Sequence, residues 1–185
     1  TYNGQPLCYA AVAAQKHYCS LYLMTVYGDA ARAKAFKTAF AKAGIAASFA
    51  VNAAIAERYP TLVKDIAEAG HEIIAHSTDM NGTVATGSGE DAERALIARS
   101  LDAIEAAAGT RPTGWLGPWI SQSPLTPDLL HEAGYTYLLD WCHDDQPVWM
   151  KTRVGRILSI PYPQELNDIP QIVARKREGD EFGRM

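Results

Sequence analysis

The chain has 185 residues, 48% hydrophobic and 21% charged, enough apolar material to bury one sizeable core in one domain, or in one domain and a fragment. Seventeen Lys and Arg against twenty-one Asp and Glu give a formal net charge of −4 without a basic stripe, so nucleic acid is not an expected partner. Cys8, Cys19 and Cys142 are widely spaced and form no Cys-x-x-Cys pair, which favours neither a disulfide framework nor a cysteine zinc site and suits a reducing, cytoplasmic location. No apolar run nears the roughly 18 to 20 residues of a membrane span and no charged-then-apolar leader opens the chain, so no membrane partner is expected. The chain opens at Thr1 without a methionine and stops at Met185 inside a polar, helix-compatible stretch, which reads as a piece of something longer.

In chain order, a short strand is expected around Leu7 to Val12, and a second over the β-branched and aromatic run Leu21 to Tyr27. Gly28-Asp29 breaks that run, with Asp29 placed to cap a helix from Ala30 to Ala43 that Gly44 ends. Ile45 to Val51 is a further strand, and Asn52 is placed to cap a short helix over Ala53 to Arg58. Leu62, Val63 and Ile66 share the buried face of the next helix, which Gly70 terminates. His71 to Ala75 is a strand, followed by a loop holding Gly82, Gly87 and Gly89. Ser88 and Asp91 have the spacing of a capping box, and Ile97, Leu101 and Ile104 give the following helix its buried face up to Gly109. Arg111 to Pro118 is too rich in Gly and Pro for a strand interior and reads as a shaped strand end and loop. Thr126-Pro127 opens a helix closed at Gly134, and Tyr135 to Leu139 and Ile157 to Ile160 are the last strands. Strands alternating with helices predict an α/β fold with a mainly parallel sheet, open or closed into a barrel.

Three clusters place polar groups just after apolar runs, where an α/β protein collects its reacting groups. They are Gly70-His-Glu-Ile-Ile-Ala-His76, Asp140-Trp-Cys-His-Asp-Asp-Gln-Pro147 and Pro161-Tyr-Pro-Gln-Glu-Leu-Asn-Asp168. His76 follows a strand directly and is the leading candidate for a reacting imidazole, against the plain alternative of a histidine that only fastens its loop. Glu72 lies four residues earlier on the same strand face and is a candidate to orient His76 or share its proton. Asp140, Asp144 and Asp145 crowd acidic groups into one short stretch, as a solvent-facing loop would also do. Trp115, Trp119, Trp141 and Trp149 flank these clusters and would suit the walls of a sugar or small polar ring, unless they are simply buried. Arg111 is a candidate anchor for an anion or carbonyl. Metal binding is open on spacing alone: a His-x-x-x-His pair from His76 would need His at position 80, which is Met80.

With these clusters, Ile45-Ala-Ala-Ser-Phe-Ala-Val-Asn52, Glu57-Arg-Tyr-Pro60, Arg111-Pro-Thr-Gly-Trp115 and Thr126-Pro-Asp-Leu-Leu130 make residues 44–185 resemble the polysaccharide-deacetylase (NodB-homology) superfamily, in the branch similar to metal-independent allantoinases. The resemblance implies a distorted, incomplete (β/α) barrel and a hydrolase of non-peptide carbon–nitrogen bonds. Its substrate would be a small molecule: a cyclic amide, or a carbohydrate-like compound bearing an N-acetyl group. His76 and Glu72 would be catalytic. Asp29 would stand where the family's first acidic motif belongs. Arg111, Trp115, Asp140, Asp144, Asp145, Glu165 and Asn167 would bind substrate. Deacetylases of the superfamily bind a divalent metal, and Met80 is closer to the allantoinase-like pattern, so no cofactor is expected, with zinc or a similar ion as the alternative. The family's last motif, an apolar strand ending in His, would lie beyond Met185. Residues 1–43 instead resemble small bacterial proteins of the YdhG type, which makes a natural or engineered splice, and with it an inactive scaffold or binding module, the competing expectation. An unclosed barrel would leave strand edges for a second copy to cover, so a homo-oligomer is expected.

Overall fold

The computed structural model describes residues 10–15, 18–23, 31, 34, 35, 38, 41, 42, 44, 46–84, 87, 89–143, 146–163, 165, 167, 169–178, 181 and 184, with the backbone alone at 10–15, 18–23, 169 and 173. Two compact units are present, one made of Thr1–Phe49 with Pro163–Met185 and the other of Ala50–Tyr162.

In the first unit, β1 (Ala10–Gln15) and β2 (Tyr18–Leu23) pair antiparallel, from Ala10 opposite Leu23 to Gln15 opposite Tyr18. Of the strand expected over Leu7 to Val12, Ala10 to Val12 are paired and the pairing runs on to Gln15, and the one expected over Leu21 to Tyr27 is already paired from Tyr18; residues 7–9 and 24–30 lie outside the described residues. β2 runs parallel to the start of β3 (Ala47–Val51), with Cys19 opposite Ala47 and Ser20 opposite Ser48. Ala31, Lys34, Ala35, Thr38, Ala41 and Lys42 are helical. Gly44 ends this helix with φ +66°, a conformation that costs glycine little because it has no Cβ. Further on, Ile169–Ala174 form one π-helical turn around the fully buried Gln171.

In the second unit, the strand order runs from the end of β3 through β4 (Glu72–Ala75), β5 (Gly114–Trp115), β6 (Tyr137–Leu138) and β8 (Gly155–Ser159) to β7 (Val148–Thr152). β4, β5, β6 and β8 are parallel neighbours, and β7 closes the edge as an antiparallel hairpin with β8. This is an α/β arrangement with an open parallel sheet, the incomplete (β/α) form expected. β7 was not expected. Its Trp149 and Lys151 are exposed, as fits an edge strand.

Helices α1 (Ala53–Arg58), α2 (Pro60–Glu68), α3 (Glu90–Ala108) and α4 (Thr126–Glu132) complete this unit. Ile97, Leu101 and Ile104 recur every three to four residues, so one stripe of α3 is buried while its other faces stay polar. α3 packs on α1, α2, α4 and β4. Each large apolar side chain so buried contributes about 1.5 to 3 kcal/mol. Glu90, Asp91 and Glu93 lie in its first turn, where carboxylates favour the positive end of the helix dipole, and Gly109 closes it at φ +74°. Ser88, expected in a capping box, lies outside the described residues.

Candidate active site

β4 delivers His76 at its carboxyl end, and the junction from β3 into α1 grips the turn that follows. The His76 N–H donates to the Val51 carbonyl at 3.0 Å, and the Asn52 side-chain amide donates to the His76 carbonyl. The first amides of α1, on Ala53 and Ala54, donate to the carbonyls of Ser77 and Thr78 at 2.9 Å each. Asn52 was expected to cap α1, but it makes no side-chain cap bond there and holds the histidine turn instead. Ser77 is fully buried at φ +59°, and its hydroxyl donates to the Gly82 carbonyl at 2.6 Å. The backbone on either side of the imidazole is therefore fixed, which a positioned reacting group requires.

The ring itself meets β5. His76 Nδ1 lies 2.5 Å from the Leu116 carbonyl oxygen, just beyond Trp115. A carbonyl only accepts, so Nδ1 carries the proton and Nε2 is left with its lone pair. Burial holds the imidazole below its ordinary range, against an opposing pull from the Leu116 carbonyl. At neutral pH the ring is a neutral base of defined tautomer.

Asp140 comes from the carboxyl side of β6. It is 5% exposed, and its Oδ1 accepts the Gly117 N–H at 2.6 Å. Burial pushes its carboxyl up to about 7, opposed by the Gly117 amide and the Trp115 indole N–H. Among the described residues neither Asp140 Oδ2 nor the Trp115 indole nitrogen has a partner at full hydrogen-bond geometry. Gln122 donates to the Asp140 carbonyl at 3.2 Å. Further along the same rim, His143 Nε2 pairs with the buried Ser159 hydroxyl at 2.8 Å and stacks on Trp141. Asn52, His76, Leu116, Gly117, Asp140 and Ser159 thus all lie at the carboxyl ends of their strands, where parallel α/β sheets place ligands.

Of the other candidate residues, Trp115 reaches Asp140 through its indole, and the rest that are described fall elsewhere. Glu72 accepts the Tyr137 hydroxyl at 2.6 Å at the opposite end of β4, about 13 Å along the strand from His76 at roughly 3.3 Å per residue. Arg111 precedes β5, at that same opposite end, where it pairs with Glu105 at 3.3 Å and donates to the Ala133 carbonyl at 3.2 Å. Trp115 is fully buried, with its ring edge-on to Tyr135 at 5.7 Å. Glu165 and Asn167 belong to the first unit, Glu165 exposed and Asn167 half-buried with its carbonyl accepting the Gln171 N–H. Asp29, Asp144 and Asp145 lie outside the described residues. Sequence reasoning missed Leu116 and Gly117, which act through backbone atoms; the Gly117-Pro118 pair is the only local signal of a shaped turn there. Beyond it Trp119 and Ile120 hold φ of +58° and +56°, rare for side-chain-bearing residues, and Trp119 is 70% exposed.

Among the described residues no three His, Cys, Asp or Glu side chains converge as the donor set of a metal ion would, and Met80, four residues after His76, is largely exposed. These residues do not fit a three-donor divalent site. No helix among the described residues is long and apolar enough to cross a membrane.

A peptidoglycan deacetylase of Helicobacter pylori (strain ATCC 700392 / 26695) is 24% identical over 151 residues, covering 69% of this chain and 51% of that protein. The solved structure of Puue allantoinase is similar with a TM-score of 0.69 and 27% identity, over 83% of this chain and 52% of that one. A structure named as a polysaccharide deacetylase from Mycobacterium smegmatis matches with a TM-score of 0.69 and 29% identity, over 74% and 47%. The chain therefore spans about half the length of the relatives it matches. The polysaccharide deacetylase family model matches residues 19–138, so the chain belongs to the polysaccharide deacetylase family.

Proposed function

We propose that the protein is a hydrolase of non-peptide carbon–nitrogen bonds, opening a cyclic amide of the ureide kind or removing an N-acetyl group from a carbohydrate-like small molecule. The observation that carries this reading is the His76 ring, with its Nδ1–H committed to the Leu116 carbonyl and its Nε2 lone pair left to take a proton. Nε2 removes a proton from water as the oxygen attacks the carbonyl carbon. The resulting imidazolium returns that proton to the nitrogen as the carbon–nitrogen bond breaks. Water is consumed, and a carboxylic acid and an amine or ureido group are released. Arg111 is engaged at the far end of β5, so the developing oxyanion is assigned to amides of the loops around His76. Trp119, exposed beside this rim, supplies an aromatic wall for the substrate.

Family membership and the likeness to both a deacetylase and an allantoinase support the reaction class. Met80 favours the allantoinase-like branch. Zinc or a similar ion is a separate reading, decided by elemental analysis of the folded protein together with the effect of a chelator on turnover. The YdhG-type likeness of residues 1–43 is likewise separate, and peptide mapping across residues 30–50 tests the splice.

The direct test is turnover of allantoin and of N-acetylglucosamine oligomers by the purified chain. His76→Ala is expected to lower the rate by about 10² to 10⁴. A wild-type rate in that variant would remove His76 as the base. No turnover of either class by the unaltered chain would favour an inactive scaffold.

A further inference from the structure

The Leu116 carbonyl and the Gly117 N–H are the two ends of one peptide group. His76 Nδ1–H donates to its oxygen at 2.5 Å, and its N–H donates to Asp140 Oδ1 at 2.6 Å. We propose that Asp140 is a positioning residue that acts on His76 through the Leu116–Gly117 peptide, a histidine–aspartate pair relayed by a single amide.

The relay follows from the polarity of the group. An amide whose N–H is drawn toward a carboxylate gains electron density on its oxygen, so successive hydrogen bonds in a chain strengthen one another. An ionised Asp140 makes the Leu116 carbonyl a better acceptor for Nδ1–H. That stabilises the imidazolium formed when Nε2 takes a proton, as a carboxylate directly on Nδ1 would. A neutral Asp140 withdraws this support.

The geometry around the peptide keeps the relay in place. A Cβ on Gly117 would come 2.5 Å from the Ser121 carbonyl and 3.3 Å from both Asp140 carboxylate oxygens, so only glycine lets the carboxylate approach the N–H this closely. Asp140 is buried, and its own carbonyl is held by Gln122. The groups acting on Asp140 are its burial, the Gly117 amide and the Trp115 indole; those acting on His76 are its burial and the Leu116 carbonyl. Of the neighbouring titratable groups, Asp79 is engaged by the amides of Asn81 and Gly82, and His143 by Ser159.

This role rests on His76 as the base, but its test does not depend on turnover. The measurement is NMR titration of the full chain, following the Gly117 amide and the His76 ring nitrogens. In the unaltered protein both signals should share an inflection near neutral pH, in addition to His76's own titration. Asp140→Asn keeps an oxygen facing the Gly117 N–H and removes the charge. It should abolish the shared inflection and lower the proton affinity of His76 by roughly threefold, the size expected of polarisation passed through one neutral link. If Gly117 senses Asp140 and His76 does not, or if His76 titrates identically in the variant, the relay is overturned. The inflection in the unaltered chain decides the matter alone if the variant fails to fold. A relay that stands in a chain without hydrolase activity would uphold this inference and reject the function proposed above.

Discussion

The Tyr137 hydroxyl donates to Glu72 Oε1 at 2.6 Å, so that β6 is bonded to β4 across the whole width of β5. The ring can cross because the residue beneath it is Gly114: a Cβ there would lie 2.1 to 2.6 Å from three atoms of the phenol. Gly114 is needed here for close approach rather than for backbone conformation. Gly114→Ala must displace the ring and break the bond, and is expected to cost about 1 to 3 kcal/mol. Tyr137→Phe removes only the hydroxyl and should cost about 1 to 2 kcal/mol. Urea unfolding of both variants checks the order. An alanine at position 114 as stable as the glycine would show that the ring does not pass this close.

That bond also shows where sequence reading stops. Glu72 and His76 share a strand face by simple alternation, and the placement of His76 at a strand end was legible because the apolar run stops at it. What each side chain reaches is set by neighbouring strands, and a two-residue strand such as Gly114–Trp115 leaves almost no periodic trace. Trp115 read equally well as core or substrate wall, and its burial follows from the central position of β5. Leu116 and Gly117 were illegible as site residues because carbonyl and amide groups are common to every position of the chain. Asn52 illustrates the reverse: its residue type fitted a helix cap, yet the amides at the start of α1 are satisfied by Ser77 and Thr78, which releases its side chain for the His76 carbonyl. β7 is hard to read from sequence because its apolar run, Val148-Trp-Met150, is short and ends in Lys151-Thr152, and its edge position leaves Trp149 and Lys151 outward.

Glu93 is a buried carboxylate with a structural task. It is 3% exposed on α3, and it accepts the Ser123 hydroxyl at 2.6 Å and the Thr126 hydroxyl. Thr126 is the first residue of α4, and its hydroxyl also accepts the Ser123 N–H at 2.8 Å and fixes the loop before the helix. Glu93→Ala leaves two buried hydroxyls without their acceptor and is expected to cost about 3 to 5 kcal/mol. Glu105→Ala, on the exposed side of the same helix, should cost no more than about 1 kcal/mol. Thermal unfolding of the pair measures the contrast, and equal losses would mean that helix propensity rather than the buried carboxylate governs position 93.

Trp119 follows Gly117 by two residues, is exposed, and holds a positive φ. Because the ring packs little of its area, Trp119→Ala should change stability by less than about 0.5 kcal/mol. Loss of one stacking surface worth roughly 1 kcal/mol should raise KM about fivefold with kcat nearly unchanged. An unchanged KM on every substrate turned over would remove Trp119 from the binding wall.

Asp140 should make the protein less stable as the solution becomes less acidic. Its folded carboxyl sits at about 7, above the 3.8 of an unperturbed group, so between these values the folded state holds more protons than the unfolded one. Stability from this group is fully present below about 4 and declines as pH rises to about 7, by at most about 4 kcal/mol at 1.36 kcal/mol for each tenfold step. Asp140→Asn has no proton to lose, so the Asp140 contribution to the fall over this window should be missing from the variant. His76 acts in the opposite sense: its folded value is lowered, so the unfolded state takes up the proton first and stability is lost as pH falls from 6.5 toward that lowered value. Chemical denaturation of the unaltered chain and of Asp140→Asn, each at pH 5 and pH 8, separates the two groups. The same ionisation that weakens the fold supplies the charge behind the Leu116–Gly117 peptide, so the asparagine variant should be the more stable protein at pH 8 and the slower one. A variant that gained stability there without losing rate would show that the buried charge of Asp140 serves neither the fold nor the base.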